Sequence, residues 1–271
     1  METSRQLNRP DVSVVIPAYN EATRLTRTLR ATVDYLRARG LAFEVLVVDD
    51  GSADATASIA QAWARENGLE DVVRGYRYEP NRGKGHAVRY GVLRAHGARV
   101  LFMDADLATP IEELEKLEAA LDPAAGVVYA IGSRPLKESQ LLVRQPWYRE
   151  LLGRSFNVVV RLLAAPGIYD TQCGFKLLTH DAAQAIFSRC ELDGFSFDVE
   201  AIFVARRLGF TVVEVPVRWA HQEGTAAFAS KWAYLKAGLR MLNDVRRIRW
   251  IHRGLRPYSA APATATPQHP A

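Results

Sequence analysis

The stretch RVLFMDADLATP, Arg99 to Pro110, carries the architecture. A short apolar run ends in two aspartates one residue apart, although aspartate is among the residues least often buried without a partner. Side chains two apart on extended chain point the same way, so Asp104 and Asp106 face one volume just past the end of a strand. Two carboxylates held there repel unless a cation sits between or beside them. Thr109-Pro110-Ile111-Glu112 follows as a capping box with proline at the first helical position, leading into Ile111, Leu114, Leu117 and Leu121.

Outward from this stretch, strands are expected at 12–16 (VSVVI), 43–49 (FEVLVVD), 99–104, 126–132 (GVVYAIG) and 211–217 (TVVEVPV), with a weaker one at 72–78. The first four are nearly continuous apolar runs, as in parallel strands covered on both faces. Leu25, Leu29, Val33 and Leu36 recur at helical spacing, and DATASIAQAWAREN runs from an Asp54 cap to a stop at Gly68. Strand and helix alternate to about residue 132, which predicts an α/β, doubly wound, mostly parallel sheet with helices on both faces. From about 145 onward, longer helices surround one further strand. Residues 257–271 are Pro/Ala/Thr-rich and aperiodic, the composition of a disordered tail.

The 271 residues are 48% hydrophobic, enough for a real core. No uncharged apolar run reaches the roughly 18 residues of a membrane span, and METSRQLNRPDV lacks the apolar centre of a signal peptide. A cytoplasmic protein is expected. Cys173 and Cys190 have neither metal-ligand spacing nor the density of a disulfide scaffold, so both are expected reduced and buried. Between Lys231 and Arg256 eight Lys/Arg stand against one acid, Asp244, within a chain of net charge +5, so the rest of the protein is not basic. That distribution argues against a nucleic-acid-binding face.

Ligands of open parallel sheets bind outside the carboxyl ends of the strands. Four expected strands end in polar residues there: Pro17, Tyr19, Asn20 and Glu21; Asp49, Asp50, Gly51 and Ser52; Asp104 and Asp106; Ser133 and Arg134. Singly, Asn20 or Asp54 reads as a helix cap and Asp50-Gly51 as a turn. Together they read as a site. NRGKGHAVRYG is not a P-loop, since Tyr78 and Gly85 stand where glycine and Ser/Thr are needed, nor a dinucleotide fingerprint. It leaves Arg82 and Lys84 on a glycine-flexible turn opening a helix, suited to a phosphate. The aspartates then suit Mg²⁺ or Mn²⁺ on a diphosphate.

VSVVIPAYNEATRL, VLVVDDGSADAT, NRGKGHAVRYG and LFMDADLATP resemble the nucleotide-sugar-binding half of the inverting GT-A glycosyltransferases of family 2. IGSR, DTQCGFK and FSFDVEAIF resemble the narrower dolichyl-phosphate glucosyltransferases, with dolichyl-phosphate mannosyltransferases as near cousins. The resemblance covers about residues 10–235. It implies a GT-A domain over 10–230, with the nucleotide-sugar half at 10–132 and the acceptor half at 133–230.

It also implies that Pro17, Tyr19, Glu21, Asp49 and Asp50 hold the nucleoside, while Asp104 and Asp106 hold the metal and sugar diphosphate. Arg82 and Lys84 lie in the matching loop. Arg134 and Lys176 match cations near the acceptor, and Asp198 matches the base carboxylate, although Asp198 and Glu200 also read as acids of a first helical turn at 199–208. The implied reaction moves a hexose, with UDP-glucose favoured as donor, onto a polyprenyl or dolichyl phosphate. GDP-mannose, a soluble acceptor or a non-catalytic nucleotide-sugar-binding module are the alternatives.

Trp232, Leu235, Leu239, Leu242, Val245 and Ile248 form a helical stripe among basic residues over 231–256. Such a helix suits the interface of an anionic membrane, or packs on the sheet. A second apolar segment begins at Trp147. Peripheral attachment to the cytoplasmic membrane face is the expectation from these helices; the sequence departs from eukaryotic relatives, which usually add a membrane-spanning segment.

Overall fold

The computed structural model of the protein describes residues 9–143, 164–220 and 242–258. In chain order the strands are β1 (Val12–Ala18), β2 (Phe43–Asp49), β3 (Val73–Arg77), β4 (Arg99–Met103), β5 (Val127–Ser133), β6 (Gln140–Val143), β7 (Phe175–Thr179), β8 (Thr211–Pro216) and β9 (Arg218–Ala220). The helices are α1 (Leu25–Ala38), α2 (Thr56–Glu66), α3 (Lys84–Val92), α4 (Leu114–Ala120), α5 (His180–Phe187) and α6 (Phe197–Arg207). A C-terminal helix is described over residues 242–251.

Seven strands form one sheet in the order β3-β2-β1-β4-β7-β5-β8, and β6 pairs with β9 apart from it. Every residue of β1 is buried, as its continuous apolar run requires. It lies parallel to β2, from Val12 opposite Phe43 to Ala18 opposite Asp49, and parallel to β4 on its other side. The chain therefore winds outward from β1 to β3 and then crosses back to β4. This places the topological switch point between β1 and β4, where the doubly wound rule locates ligands.

One apolar layer packs Val14, Ile16, Leu29, Leu114 and Leu117 on one face of the sheet, and a second packs Val15, Val48, Val88, Phe102 and Ile202 on the other. Leu29 is wholly buried, so truncating it to alanine would cost about 2–5 kcal/mol.

The expected strands are present within a few residues of their predicted bounds, but the second half departs from expectation. β7 was not anticipated, and it is the one antiparallel member of the large sheet, inserted between β4 and β5. A lysine interrupts its short apolar run FKLLT, and that charge conceals a central strand from a reading of periodicity. The described helices α5 and α6 are no longer than those of the first half, and the segments where longer helices are expected lie largely outside the described residues. The capping box is also corrected: Pro110 is itself the cap of a 3₁₀ turn over Ile111–Glu113, and no side chain caps it. Thr109 is buried instead, with its hydroxyl 4.0 Å from Cys173 Sγ.

Cys173 and Cys190 are free and buried, as expected. Trp232, Leu235 and Leu239 of the basic stripe, the segment beginning at Trp147, and tail residues 259–271 lie outside the described residues. In the described part, Val245 and Ile248 are buried against Leu192 and Val199. This half of the stripe faces the protein body, which corrects a membrane-facing assignment for it. No helix of the described residues is long and apolar enough to cross a membrane.

Candidate active site

The loops after β1 and β2 are stitched together. The backbone N–H of Asn20 donates to Ser52 Oγ at 2.9 Å, Ala53 N–H to Asn20 Oδ1 at 2.9 Å, and Glu21 N–H to Thr56 Oγ1 at 2.9 Å. Asn20 adopts φ 56°, a conformation asparagine tolerates better than most residues. Its side chain thus bridges two loops rather than capping α1. Asp54 does serve the start of α2, accepting from Thr56 N–H at 3.0 Å.

Asp49 ends β2 almost completely buried. Its Oδ1 accepts from the N–H and hydroxyl of Ser52, while Oδ2 is buried with no hydrogen-bond partner. Arg77 Nε stands 3.8 Å from that oxygen. A buried acceptor left open at the carboxyl end of β2 can take a donor from a bound ligand. Pro17 is buried in β1, and Tyr19 beyond it is half exposed.

Asp50 is engaged within the protein. Its carboxylate accepts from Arg82 N–H at 2.7 Å, Gly83 N–H at 2.8 Å and Asn81 Nδ2 at 2.9 Å, fixing the NRGKG loop. Gly83 has φ 107°, and a Cβ there would lie 2.5 Å from the carbonyl oxygen of Asp193. Only glycine combines that backbone with that approach. The Arg82 guanidinium pairs with Asp193 at 3.3 Å. Asp193 also takes Arg89 at 2.7 Å and His86 at 3.3 Å.

Lys84 reaches across from the start of α3 to β4, its Nζ 2.6 Å from Asp104 Oδ1. Burial opposes the lysine charge, but Asp104 and then Asp198 outweigh it and hold the ammonium above its usual range. Asp106 accepts from Ala108 N–H at 2.9 Å. Burial first, and then the like charge of Asp104, push its carboxyl upward. Glu21 is raised chiefly by burial, with Arg24 opposing and Asp106 and Asp104 adding to the rise. Glu21, Asp104 and Asp106 therefore share one acidic neighbourhood at the switch point.

Among the described residues, no three His, Cys, Asp or Glu side chains gather closely enough to hold a metal ion alone. The donor set at Asp104 and Asp106 is two hard carboxylates without imidazole or thiolate. It fits Mg²⁺ or Mn²⁺, which complete their shells with water and phosphate oxygens. A neighbour that sequence reading did not single out sets Asp104: a Cβ on Gly174 would lie 2.0 Å from Asp104 Oδ2. Asp104 N–H also donates to Gly174 O at 3.0 Å. The glycine of DTQCGFK thus makes room for the first carboxylate.

Arg134 and Lys176, the cations expected near the acceptor, are both engaged by buried carboxylates. Arg134 grips Asp170 through Nε at 2.6 Å and Nη2 at 2.8 Å, and Asp170 also accepts Arg134 N–H at 3.1 Å. Burial alone would raise the Asp170 carboxyl, but the guanidinium prevails and holds it below its ordinary value. Asp170 N–H and Tyr169 N–H donate to Glu214, as does the Ser133 hydroxyl. Lys176 has no exposed surface, donates to Asp198 and to Thr171 O at 2.8 Å, and lies 5.4 Å from the Phe102 ring centre. Asp198 is correspondingly buried as the counter-ion of Lys176.

Of the residues expected at the site, Pro17, Tyr19, Glu21, Asp49, Asp50, Arg82, Lys84, Asp104 and Asp106 line the carboxyl ends of β1, β2 and β4 or the loop beside them. Asp193 and Asp170 were missed. Asp193 sits in an Asp-Gly pair that reads as a turn, and only its partners Arg82, Arg89 and His86 reveal its role.

Against protein-family models, residues 13–187 match glycosyl transferase family 2. Dolichyl-phosphate beta-glucosyltransferase of Drosophila melanogaster is 38% identical over 239 residues, covering 84% of this chain and 72% of that protein. The enzyme of the same name from Saccharomyces cerevisiae is 33% identical over 254 residues, covering 89% and 75%. Among solved structures, mannosyl-3-phosphoglycerate synthase from Rubrobacter xylanophilus superposes with TM-score 0.64 at 19% identity, over 98% of this chain and 80% of that one. Glucosyl-3-phosphoglycerate synthase from Mycobacterium tuberculosis, with Mn²⁺, UDP-glucose and phosphoglyceric acid, gives 0.61 at 18%, over 88% and 80%. At these identities the structural likeness establishes the GT-A fold.

Proposed function

The chain belongs to glycosyltransferase family 2, and from that premise we propose that it moves glucose from UDP-glucose onto a polyprenyl or dolichyl phosphate. The observation that carries this reading is the Asp104 and Asp106 pair at the switch point, with Lys84 beside it and the Asp50-anchored loop adjoining. The dolichyl-phosphate relatives supply the acceptor class.

In the reaction, the bond between the anomeric carbon and the diphosphate oxygen breaks as the acceptor phosphate oxygen bonds that carbon from the opposite face. UDP leaves with the bonding electrons. Asp104 and Asp106 would hold Mg²⁺ or Mn²⁺, which supplies Lewis-acid stabilisation of the departing diphosphate. Lys84 and the amides of the NRGKG turn offer positive charge to the same group.

A phosphate monoester, with second pKa near about 6, is already mostly dianionic at neutral pH, so no base has to remove a proton. This agrees with the placement of Asp198, which neutralises Lys176 inside the protein. Asp49, through its open Oδ2, is assigned to the nucleoside, together with Pro17 and Tyr19. Arg134 is assigned to the acceptor side, positioned by Asp170.

We place the enzyme peripherally on the cytoplasmic membrane face. Trp250 is 65% exposed with the Arg253 guanidinium over its ring, and Arg246 and Arg247 are exposed beside it. A tryptophan among arginines suits an anionic lipid interface. The deciding experiment incubates the protein with radiolabelled UDP-glucose, or GDP-mannose in parallel, with Mg²⁺ or Mn²⁺ and a polyprenyl phosphate. Metal-dependent label in the organic phase from UDP-glucose supports the reading. Label only from GDP-mannose, or only in a water-soluble product, overturns the assignment of donor or acceptor.

A further inference from the structure

The loop over residues 190–196, between α5 and α6, lies between the NRGKG turn and the C-terminal helix and is bonded to both. On the turn side, His86 N–H donates to Asp193 O at 3.2 Å, and the Asp193 carboxylate takes Arg82, His86 and Arg89. The approach is close: a Cβ on Gly85 would lie 2.6 Å from the carbonyl oxygen of Leu192.

On the C-terminal side, Glu200 is wholly buried and accepts from Glu191 N–H at 3.0 Å and Leu192 N–H at 2.8 Å. The same carboxylate meets His252 Nε2 at 2.8 Å, where the C-terminal helix ends. Ser196 donates to Asp244 at 2.6 Å, and Val245 and Ile248 pack on Leu192 and Val199. These contacts leave the loop no independent position, because buried polar networks of this kind are costly to break at any member.

We infer that the C-terminal helix is a brace for the donor-phosphate loop, acting through Glu200 and Asp193 as positioning residues. Removing a contact at the His252 end frees the 190–196 loop, and Arg82 and Lys84, more than 160 residues from His252 in sequence, lose their fixed station. The expected signature is a weakened hold on the donor without damage to the transfer step. The inference rests on the reading of UDP-glucose as donor only for its kinetic arm.

The test compares wild type, His252→Phe, Asp193→Asn and the double variant by amide hydrogen exchange without ligand, and by donor KM and kcat. In His252→Phe, exchange at residues 82–87 accelerates and donor KM rises, each by about three- to tenfold for coupled sites, while kcat is unchanged. In the double variant the two effects on the 82–87 amides are not additive, since one loop transmits both. Acceleration confined to residues 242–258, additive effects at 82–87, or a KM that stays at the wild-type value overturns the brace. A uniform rise in exchange across the sheet, with lowered melting temperature, also overturns it, as that is global destabilisation. Should wild type transfer nothing from UDP-glucose, the functional reading fails, and the exchange arm still decides the brace.

Discussion

The Lys84–Asp104 pair and the Lys176–Asp198 pair join the same two residue types, each between the start of a helix and a strand of the large sheet or its end, yet their surroundings differ. The first lies at the strand ends with part of both side chains exposed, so a cation or a phosphate can compete for either partner. The second is sealed beneath Phe102 and Phe197 with no exposed lysine surface. A buried pair offers little net stability, but breaking one side of it leaves an uncompensated charge. Exposure, more than residue identity, separates a pair that a ligand can reach from one that is sealed.

That contrast can be tested most strongly at Asp104. Asp104→Ala should reduce transfer by at least about a hundredfold, the scale of several kcal/mol of lost charge stabilisation, while the melting temperature barely moves. Chelation with EDTA should give the same loss, reversed by Mg²⁺ or Mn²⁺. A large drop in melting temperature instead would make Asp104 structural and erase the distinction. Gly174→Ala comes next: the new methyl must displace the Asp104 carboxylate, a flexible group, so activity should fall by about tenfold or more through misplacement with stability nearly kept. A calorimetric scan beside the transfer assay separates the two.

At the buried pair the balance reverses. Lys176→Met should cost about 3–5 kcal/mol of stability, read in urea titration, and adding Asp198→Leu should restore much of it. Restored stability with some remaining transfer would sharpen the contrast, since it would show that Asp198 is not an obligatory base. The Arg134–Asp170 pair predicts a smaller, pH-dependent effect. The folded carboxyl of Asp170 is depressed, so its contribution is fully present above the ordinary carboxylate value near about 4. It is lost as pH falls through the lower folded value. Arg134→Gln should therefore move acid unfolding to higher pH, measured by circular dichroism. The smallest effect is expected for Trp250→Ala: weaker pelleting with anionic vesicles at low salt, unchanged melting, and release by high salt in both proteins.

The first half of the fold was legible because it obeys one rule. Continuous apolar strands alternate with amphipathic helices, and each strand delivers its polar residues to the same edge. Asp104, Asp106, Lys84 and Asp50 could be placed together from that rule before any distance was known. The second half hides its logic in long-range pairing. β7 contains a buried lysine whose partner, Asp198, is 22 residues away, and no local pattern signals that the charge will be neutralised. Asp193 lies in an Asp-Gly pair with no local signal, yet it takes two arginines, Arg82 and Arg89, and the His86 imidazole. Gly174 carried no visible reason until the Asp104 carboxylate was found against it. These residues take their meaning from partners that only tertiary structure supplies.

The antiparallel β7 also bears on how the protein is made. Until Thr179 has been synthesised, β4 lacks its neighbour on one side, and the hydrogen-bonding edge of an apolar strand stands open to other chains. The waiting interval spans more than seventy residues of translation. Non-local pairing of this sort slows folding and exposes intermediates to aggregation. A nascent chain stalled before that point is thus the form in greatest need of chaperone protection.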